Sequence, residues 1–343
     1  MRGVAVLIMI QCHTFNSFTR LDLRQASAYT LTQFVGGMAA PLFLFMAGMT
    51  TGFQTESLER RGSGHARRWL AALRRGGYIL GIAYLFRFTN WVASLPNPNL
   101  QELLKVDILN CMGFAVLLFS PAALLESHRR VRFTIVAALA VAAAAPVVSG
   151  FDWSSVPATM RDYLVPGPER GRFPFFPCAA YVGFGMAAGQ IIKRTAAERT
   201  DRLMQWSVLT GFSLILSAQY FGNLPYSIYS HSDFWRNSPA LILIRVGVAL
   251  LMLAAAYLWT YFYGRGWSWL ETLGKASLLV YWVHVMLVYG DISRTWKRSL
   301  TIPQTALAVV VVTGLMVGFV EFRFRWKVRW KEQWRVATTV AGA

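Results

Sequence analysis

The chain has 343 residues, 55% of them hydrophobic and only 15% charged, with a formal net charge of +18, whereas a soluble domain carries about 25% charged residues. That balance excludes an ordinary soluble protein. The basic residues fall in short clusters between apolar segments, with no nucleic-acid-binding motif, which excludes a nucleic-acid partner as well.

A bilayer core about 30 Å thick takes roughly 20 apolar residues per helix. Apolar runs bounded by charges predict spans near residues 3 to 18, 31 to 53, 76 to 95, 106 to 125 and 133 to 149. Five more follow near 173 to 192, 203 to 221, 239 to 262, 276 to 290 and 303 to 321. The predicted fold is all-α: one domain, 1–343, forming a polytopic bundle of about ten transmembrane helices, with the lipid bilayer as its first partner. No cleavable signal peptide is expected, because the first apolar stretch lacks a small-residue cleavage site. Cys12, Cys111 and Cys178 lie in apolar segments at wide spacing and read as packing residues. No pair of His, Cys or acidic residues stands at ligand spacing, so no metal is expected.

Orientation follows from the basic clusters. With a cytoplasmic N-terminus, the inside loops hold Arg60, Arg61, Arg67, Arg68, Arg74 and Arg75, then Arg129, Arg130 and Arg132, then Lys193, Arg194, Arg199 and Arg202, then Arg265 and Lys275. The tail adds Arg323, Arg325, Lys327, Arg329, Lys331 and Arg335, interleaved with Trp326, Trp330 and Trp334 as in an interfacial anchor. The inside then carries roughly twice the basic residues of the outside, and both termini are cytoplasmic. The outer loops 150 to 172 and 221 to 238 are long, neutral and rich in Pro, Tyr, Trp and Ser. They either shape an acceptor site or cap the bundle.

An ionisable side chain deep in a bilayer is costly and marks function by default. Counting inward at 1.5 Å per residue puts His13 roughly 16 Å from Arg2, Arg87 roughly 18 Å from Arg75 and His284 roughly 14 Å from Lys275. Three separate helices thus bring a cationic or titratable group to one level near the mid-plane. Arg245 and Asp107 fall nearer the outer face, and Asn110 shares a helix face with Asp107 as the rim of a polar entrance. A histidine in an apolar helix is equally a core residue bonded to a backbone carbonyl, and the arginines equally snorkel or pair structurally. Cys12 and His13 make no dyad, because adjacent helical residues point about 100° apart.

The opening Arg2-Gly3-Val4-Ala5-Val6-Leu7-Ile8-Met9 with His13 resembles the first-helix signature of the transmembrane acyltransferase superfamily. The closer likeness is to bacterial relatives of heparan-α-glucosaminide N-acetyltransferase. Ala40-Pro41-Leu42-Phe43-Leu44-Phe45-Met46-Ala47-Gly48 is similar to that group's second-helix P-x-F-x-F-x-x-G pattern. Further likeness lies in Val106-Asp107-Ile108-Leu109-Asn110-Cys111-Met112-Gly113, in Phe173-Pro174-Phe175-Phe176-Pro177 with Gly183 and Gly185, and in Leu273-Gly274-Lys275-Ala276-Ser277 leading to Tyr281-Trp282-Val283-His284. The chain departs from the lysosomal enzyme, whose key histidine lies in the loop after the first helix, where this chain has none. The motif also begins at position 2, whereas members of the family usually carry residues before it, which leaves open a start upstream of Met1.

The resemblance implies acetyl transfer from cytoplasmic acetyl-CoA, or another acyl-CoA, to a sugar-containing acceptor across a bacterial inner membrane, with His13 inheriting the catalytic role. Such chemistry needs a base or acyl carrier, plus positive charge for the developing oxyanion. His13 suits the first and Arg87 the second, while His284 orients His13, assists proton transfer or simply packs. Imidazole titrates near pH 6.5 and serves as a base at neutral pH. Arg74, Arg75 and Lys275 are the expected contacts for the CoA phosphates, and Asp107, Asn110 and Arg245 for the acceptor. A homodimer is left open. The rival reading is a secondary transporter using the same mid-membrane His and Arg, and a third is a non-catalytic scaffold.

Overall fold

The computed structural model describes residues 1–93, 95, 103–167, 173–226, 228–230, 232–264 and 266–340, with side chains omitted at 93 and 327–340. The expected Arg265 and the tail side chains of Lys327, Arg329, Trp330, Lys331, Trp334 and Arg335 therefore lie outside the described residues. The described residues form thirteen α-helices and no strand: α1 (Arg2–Phe18), α2 (Ser27–Gly36), α3 (Ala39–Arg60), α4 (His65–Ala93), α5 (Ile108–Phe119), α6 (Ser127–Ser149), α7 (Ala158–Leu164), α8 (Phe175–Arg194), α9 (Thr200–Gly222), α10 (Pro239–Tyr263), α11 (Trp269–Lys275), α12 (Ser277–Tyr289) and α13 (Ile302–Val340). Each predicted span overlaps a helix, and the one over 31 to 53 is divided between α2 and α3. Five helical segments are long and apolar enough to cross a membrane: Ser27–Arg60, Ser127–Ser149, Phe175–Arg194, Pro239–Tyr263 and Ile302–Trp326. The pair α11 and α12, bent by 90°, makes a sixth if it counts as one span.

The differences from the predicted spans have local causes. The fourth span was expected over 106 to 125, yet α5 is only 12 residues long. Asp107 caps its start, and Pro121 sits in the 3-10 turn Ser120–Leu124 that follows it. α4 starts at His65, not near residue 76, so Arg67, Arg68, Arg74 and Arg75 stand on helical turns where a loop was expected. Arg129, Arg130 and Arg132 likewise lie within α6.

The chain divides into two compact units, one of residues 1–39 and 265–343, the other of residues 40–264. In the first, α1 packs on α2, α11, α12 and α13. Its first turn crosses α11 closely: a Cβ on Gly3 would overlap the Leu270 carbonyl, and one on Gly274 would come within 2.9 Å of the Gly3 nitrogen. Two of the motif glycines therefore face each other. The far end of α1 is tied by the segment before α13, where the amides of Arg298 and Leu300 donate to the carbonyls of Ser17 and Phe18, both at 3.0 Å. These bonds satisfy carbonyls that a helix C-terminus otherwise leaves open, and Arg298 adopts a positive φ of 55° to make them.

In the second unit, α9 packs on α10, α6 on α8 and α4 on α5. α3 and α8 run together through two small-residue repeats. A Cβ on Gly48 would strike the Val182 carbonyl, on Gly52 the Met186 carbonyl, on Gly185 the Phe45 carbonyl and on Gly189 the Met49 carbonyl. Small-xxx-small faces let apolar helices approach to backbone contact where lipid gives no hydrophobic drive. Gly48 closes the second-helix motif, and this crossing is what it serves. At one end of the unit, Arg68 and Arg130 are buried rather than solvated as the loop reading had them. Arg130 is fully buried and pairs with Glu59 and, at 3.6 Å, with Glu56, while Arg68 meets Glu59 at 2.9 Å.

Candidate functional site

His13 lies on α1 and His284 on α12, both in the first unit, and their rings meet: His13 Nδ1 is 2.9 Å from His284 Nε2, with the rings stacked at 5.1 Å between centroids. His284 is completely buried, and its Nδ1 lies 2.6 Å from the Val280 carbonyl one turn earlier. A carbonyl only accepts, so His284 Nδ1 carries a hydrogen. In a neutral ring, Nε2 is then a bare acceptor, and His13 Nδ1–H must donate to it. The lone pair left over is on His13 Nε2, which makes no hydrogen bond within the described structure. Two serial contacts thus select one tautomer of His13, the one whose outward nitrogen can take a proton.

Around this pair stand residues that sequence reasoning missed. The Tyr289 ring meets His13 edge-on at 5.4 Å, and its hydroxyl accepts from Asn16 Nδ2 at 3.4 Å. Tyr281 lies edge-on to His284 at 6.1 Å. Asn16 was recoverable, being three residues beyond His13 and hence on the same helix face. Tyr289 carried no local signal. Cys12 faces away, against Gly36 of α2.

Arg87 belongs to the second unit and is already partnered: its Nη2 lies 3.1 Å from Asp107 Oδ2, with both side chains largely buried. Asp107 and Asn110 form a capping box at the start of α5, where Asp107 Oδ1 accepts from the Leu109 amide at 2.8 Å and Asn110 Oδ1 from the Asp107 amide at 3.2 Å. The Asp-x-x-Asn spacing was a readable helix-start signal. Asn110 Nδ2 also donates to the Tyr163 hydroxyl at 3.3 Å, and Tyr163 shares a hydrogen bond with Tyr84 at 3.1 Å. Tyr163 sits on α7, so the segment between α6 and α8 contributes to this cluster. Burial, with the Tyr84 hydroxyl beside it, pushes the Tyr163 phenol up and keeps it neutral. Arg245, on α10, lies near enough to Tyr181 on α8 to interact with its hydroxyl electrostatically.

Of the expected CoA contacts, Arg74 is exposed, Arg75 donates to Thr50 Oγ1 at 2.6 Å, and exposed Lys275 pairs with Glu271 one turn back at 2.8 Å. Arg74 and Arg75 are in the second unit and Lys275 in the first. Among the described residues no three His, Cys, Asp or Glu side chains gather as metal ligands, and all three cysteines are free thiols.

A family model described as heparan-alpha-glucosaminide N-acetyltransferase, catalytic, matches residues 1–232, about two thirds of the chain. The chain belongs to this family. Membership implies acetyltransferase activity, and the apolar helices fit a multi-pass integral membrane protein. The stretch matched to heparan-alpha-glucosaminide N-acetyltransferase holds His13, Arg87, Asp107 and Asn110, while Arg245, Lys275 and His284 lie beyond it. No curated protein matches the chain.

Proposed function

We propose that this protein moves an acetyl group from cytoplasmic acetyl-CoA, or another acyl-CoA, to a sugar-containing acceptor on the far side of a bacterial inner membrane, with about ten spans and both termini cytoplasmic. The observation that carries the reading is the His13–His284 pair with its single usable lone pair. His13 Nε2 removes the proton of the acceptor hydroxyl or amine as that atom attacks the thioester carbonyl. The tetrahedral intermediate then collapses, the carbon–sulfur bond breaks, and the CoA thiolate takes the proton back from His13. An acyl-histidine variant uses the same lone pair as nucleophile, and the thiolate leaves before the acceptor attacks.

His284 acts as a positioning residue. Fixed by the Val280 carbonyl, it stabilises the imidazolium that forms on His13 and holds the ring in the productive tautomer. Arg87, neutralised by Asp107, fits a role in shaping the acceptor cluster with Asn110 and Tyr163 better than one as a free oxyanion cation. Arg245, beside Tyr181 on α8, stays a proposed acceptor contact separate from that cluster. Exposed Arg74 and half-buried Arg75 on the second unit, and exposed Lys275 on the first, remain the proposed contacts for CoA phosphates. Family membership favours this reading over the transporter.

The test incubates purified, detergent-solubilised protein with radiolabelled acetyl-CoA and candidate sugars, following CoA release, labelled product and label on the protein. Turnover that disappears in His13→Ala supports the assignment. Normal turnover in a well-folded His13→Ala protein would overturn it. Label retained on the protein in acid-labile form selects the acyl-histidine variant.

A further inference from the structure

The histidine pair has a cation of its own in the first unit. Arg24 lies in the 3-10 turn Leu21–Gln25 that follows α1. Its Nη2 donates to the Asn16 carbonyl at 2.6 Å and its Nε to the Thr19 carbonyl at 3.4 Å, and its guanidinium sits 5.9 Å over the Tyr29 ring. Asn16 is one turn beyond His13, about 4.5 Å along the helix axis, and the same Asn16 donates to Tyr289 beside the His13 ring.

No carboxylate neutralises Arg24 among the described residues. The nearest in sequence, Asp22, is taken by Arg20 through two bonds of 2.7 and 3.1 Å. Carbonyls hold a guanidinium in place without cancelling its charge, and Nη1 makes no hydrogen bond within the described structure. A half-buried, oriented, uncompensated guanidinium is suited to a carboxylate or phosphate, which it binds through strong charge-assisted bonds.

We infer that Arg24 anchors an anionic group, phosphate or carboxylate, carried by the acceptor, and so makes acidic sugars the preferred substrates at His13. This rests on the acyltransfer reading above. It assigns the anion to the acceptor because Arg24 lies at the opposite end of α1 from Arg2, the end expected to face the cytoplasm and CoA. The rival role is structural: an arginine after a helix also stabilises its last carbonyls.

The experiment measures binding of glucosamine 6-phosphate, glucosamine and CoA to the full-length protein in detergent, in the wild type, Arg24→Gln and Arg24→Lys. The wild type is expected to prefer the phosphorylated sugar. Arg24→Gln is expected to lose about tenfold or more in its affinity for that ligand, Arg24→Lys to recover part of it, and glucosamine and CoA to bind unchanged. Equal losses for all three ligands, a loss confined to CoA, or no wild-type preference for the phosphate would overturn the anchor. If Arg24→Gln does not fold, the wild-type preference and the Arg24→Lys protein decide the matter. Acetyl transfer is followed separately, so absent turnover with intact Arg24-dependent binding would defeat the acyltransfer reading alone.

Discussion

At the level of single residues, the tautomer chain makes the two histidines unequal. Replacing His13 with Ala removes the lone pair and is expected to lower turnover by about 10²–10⁴-fold, the usual contribution of a positioned base. Replacing His284 with Phe keeps a ring in the buried slot but takes away the acceptor at Nε2. The His13 ring is then free to place its hydrogen on either nitrogen. Turnover should fall by about tenfold or more with KM for acetyl-CoA little changed. Steady-state kinetics on the purified variants checks both, and a His284→Phe enzyme of wild-type kcat would mean that His284 only packs. Asp107 is a different case, a polar residue that caps α5 and pairs with Arg87. Asp107→Ala removes a helix cap, about 1 kcal/mol, and strips Arg87 of its partner, for which removal from a buried pair costs about 3–5 kcal/mol. A melting temperature well below wild type, partly restored by the double change Arg87→Met with Asp107→Leu, is the expected result.

At the level of helices, backbone contacts between glycines decide which elements come together. The α3–α8 crossing leaves no room for a Cβ at Gly48 or Gly185. Gly48→Leu should destabilise the second unit by about 1–3 kcal/mol, as overpacking generally does, and lower the yield of monodisperse protein in detergent. Gly77 and Gly81 of α4 meet nothing within 4 Å, so Ala at either site serves as a control that should melt like wild type. The polar tie at the end of this unit predicts a parallel effect. With Arg130 fully buried between Glu56 and Glu59, Arg130→Ala leaves two acidic groups facing each other and should cost about 3–5 kcal/mol. A thermal melt that does not move would show that solvent reaches this network.

At the level of the whole molecule, topology is the open quantity, since length and apolarity alone certify five spans, or six with the bent α11–α12 pair. α1, with 17 residues, is just short of a span by that measure, α5 is shorter still, and α4 carries Arg67, Arg68, Arg74, Arg75 and Arg87. Burial of arginines against acidic partners is how such a helix can be tolerated in lipid. With ten spans and a cytoplasmic N-terminus, single cysteines introduced at Ser63 and Ser154 of a cysteine-free protein should label from opposite sides of sealed vesicles. Labelling from the same side would reject that topology.

Much of this was legible in the chain. Hydropathy located the long helices, because an apolar run about a bilayer long has few other uses, though not the short α7 and α11; His13 and His284 stood out because ionisable groups in such runs are rare. Depth counting put both histidines at one level, and they meet. The same counting put Arg87 at that level too, but it could not register that Asp107 sits opposite and cancels its charge. Nor could it tell the solvated arginines of the basic clusters from Arg68 and Arg130, since burial depends on which helices face one another and not on local sequence. Arg24 and Tyr289 gave no sign at all, because they reach the His13 surroundings from a turn and a helix end distant in sequence. Composition and periodicity determined that this is a membrane helix bundle with two histidines in apolar helices. Which nitrogen of His13 is free was decided only when folding set the Val280 carbonyl against His284 and His284 against His13, because a tautomer is chosen by hydrogen-bond partners that exist only in three dimensions.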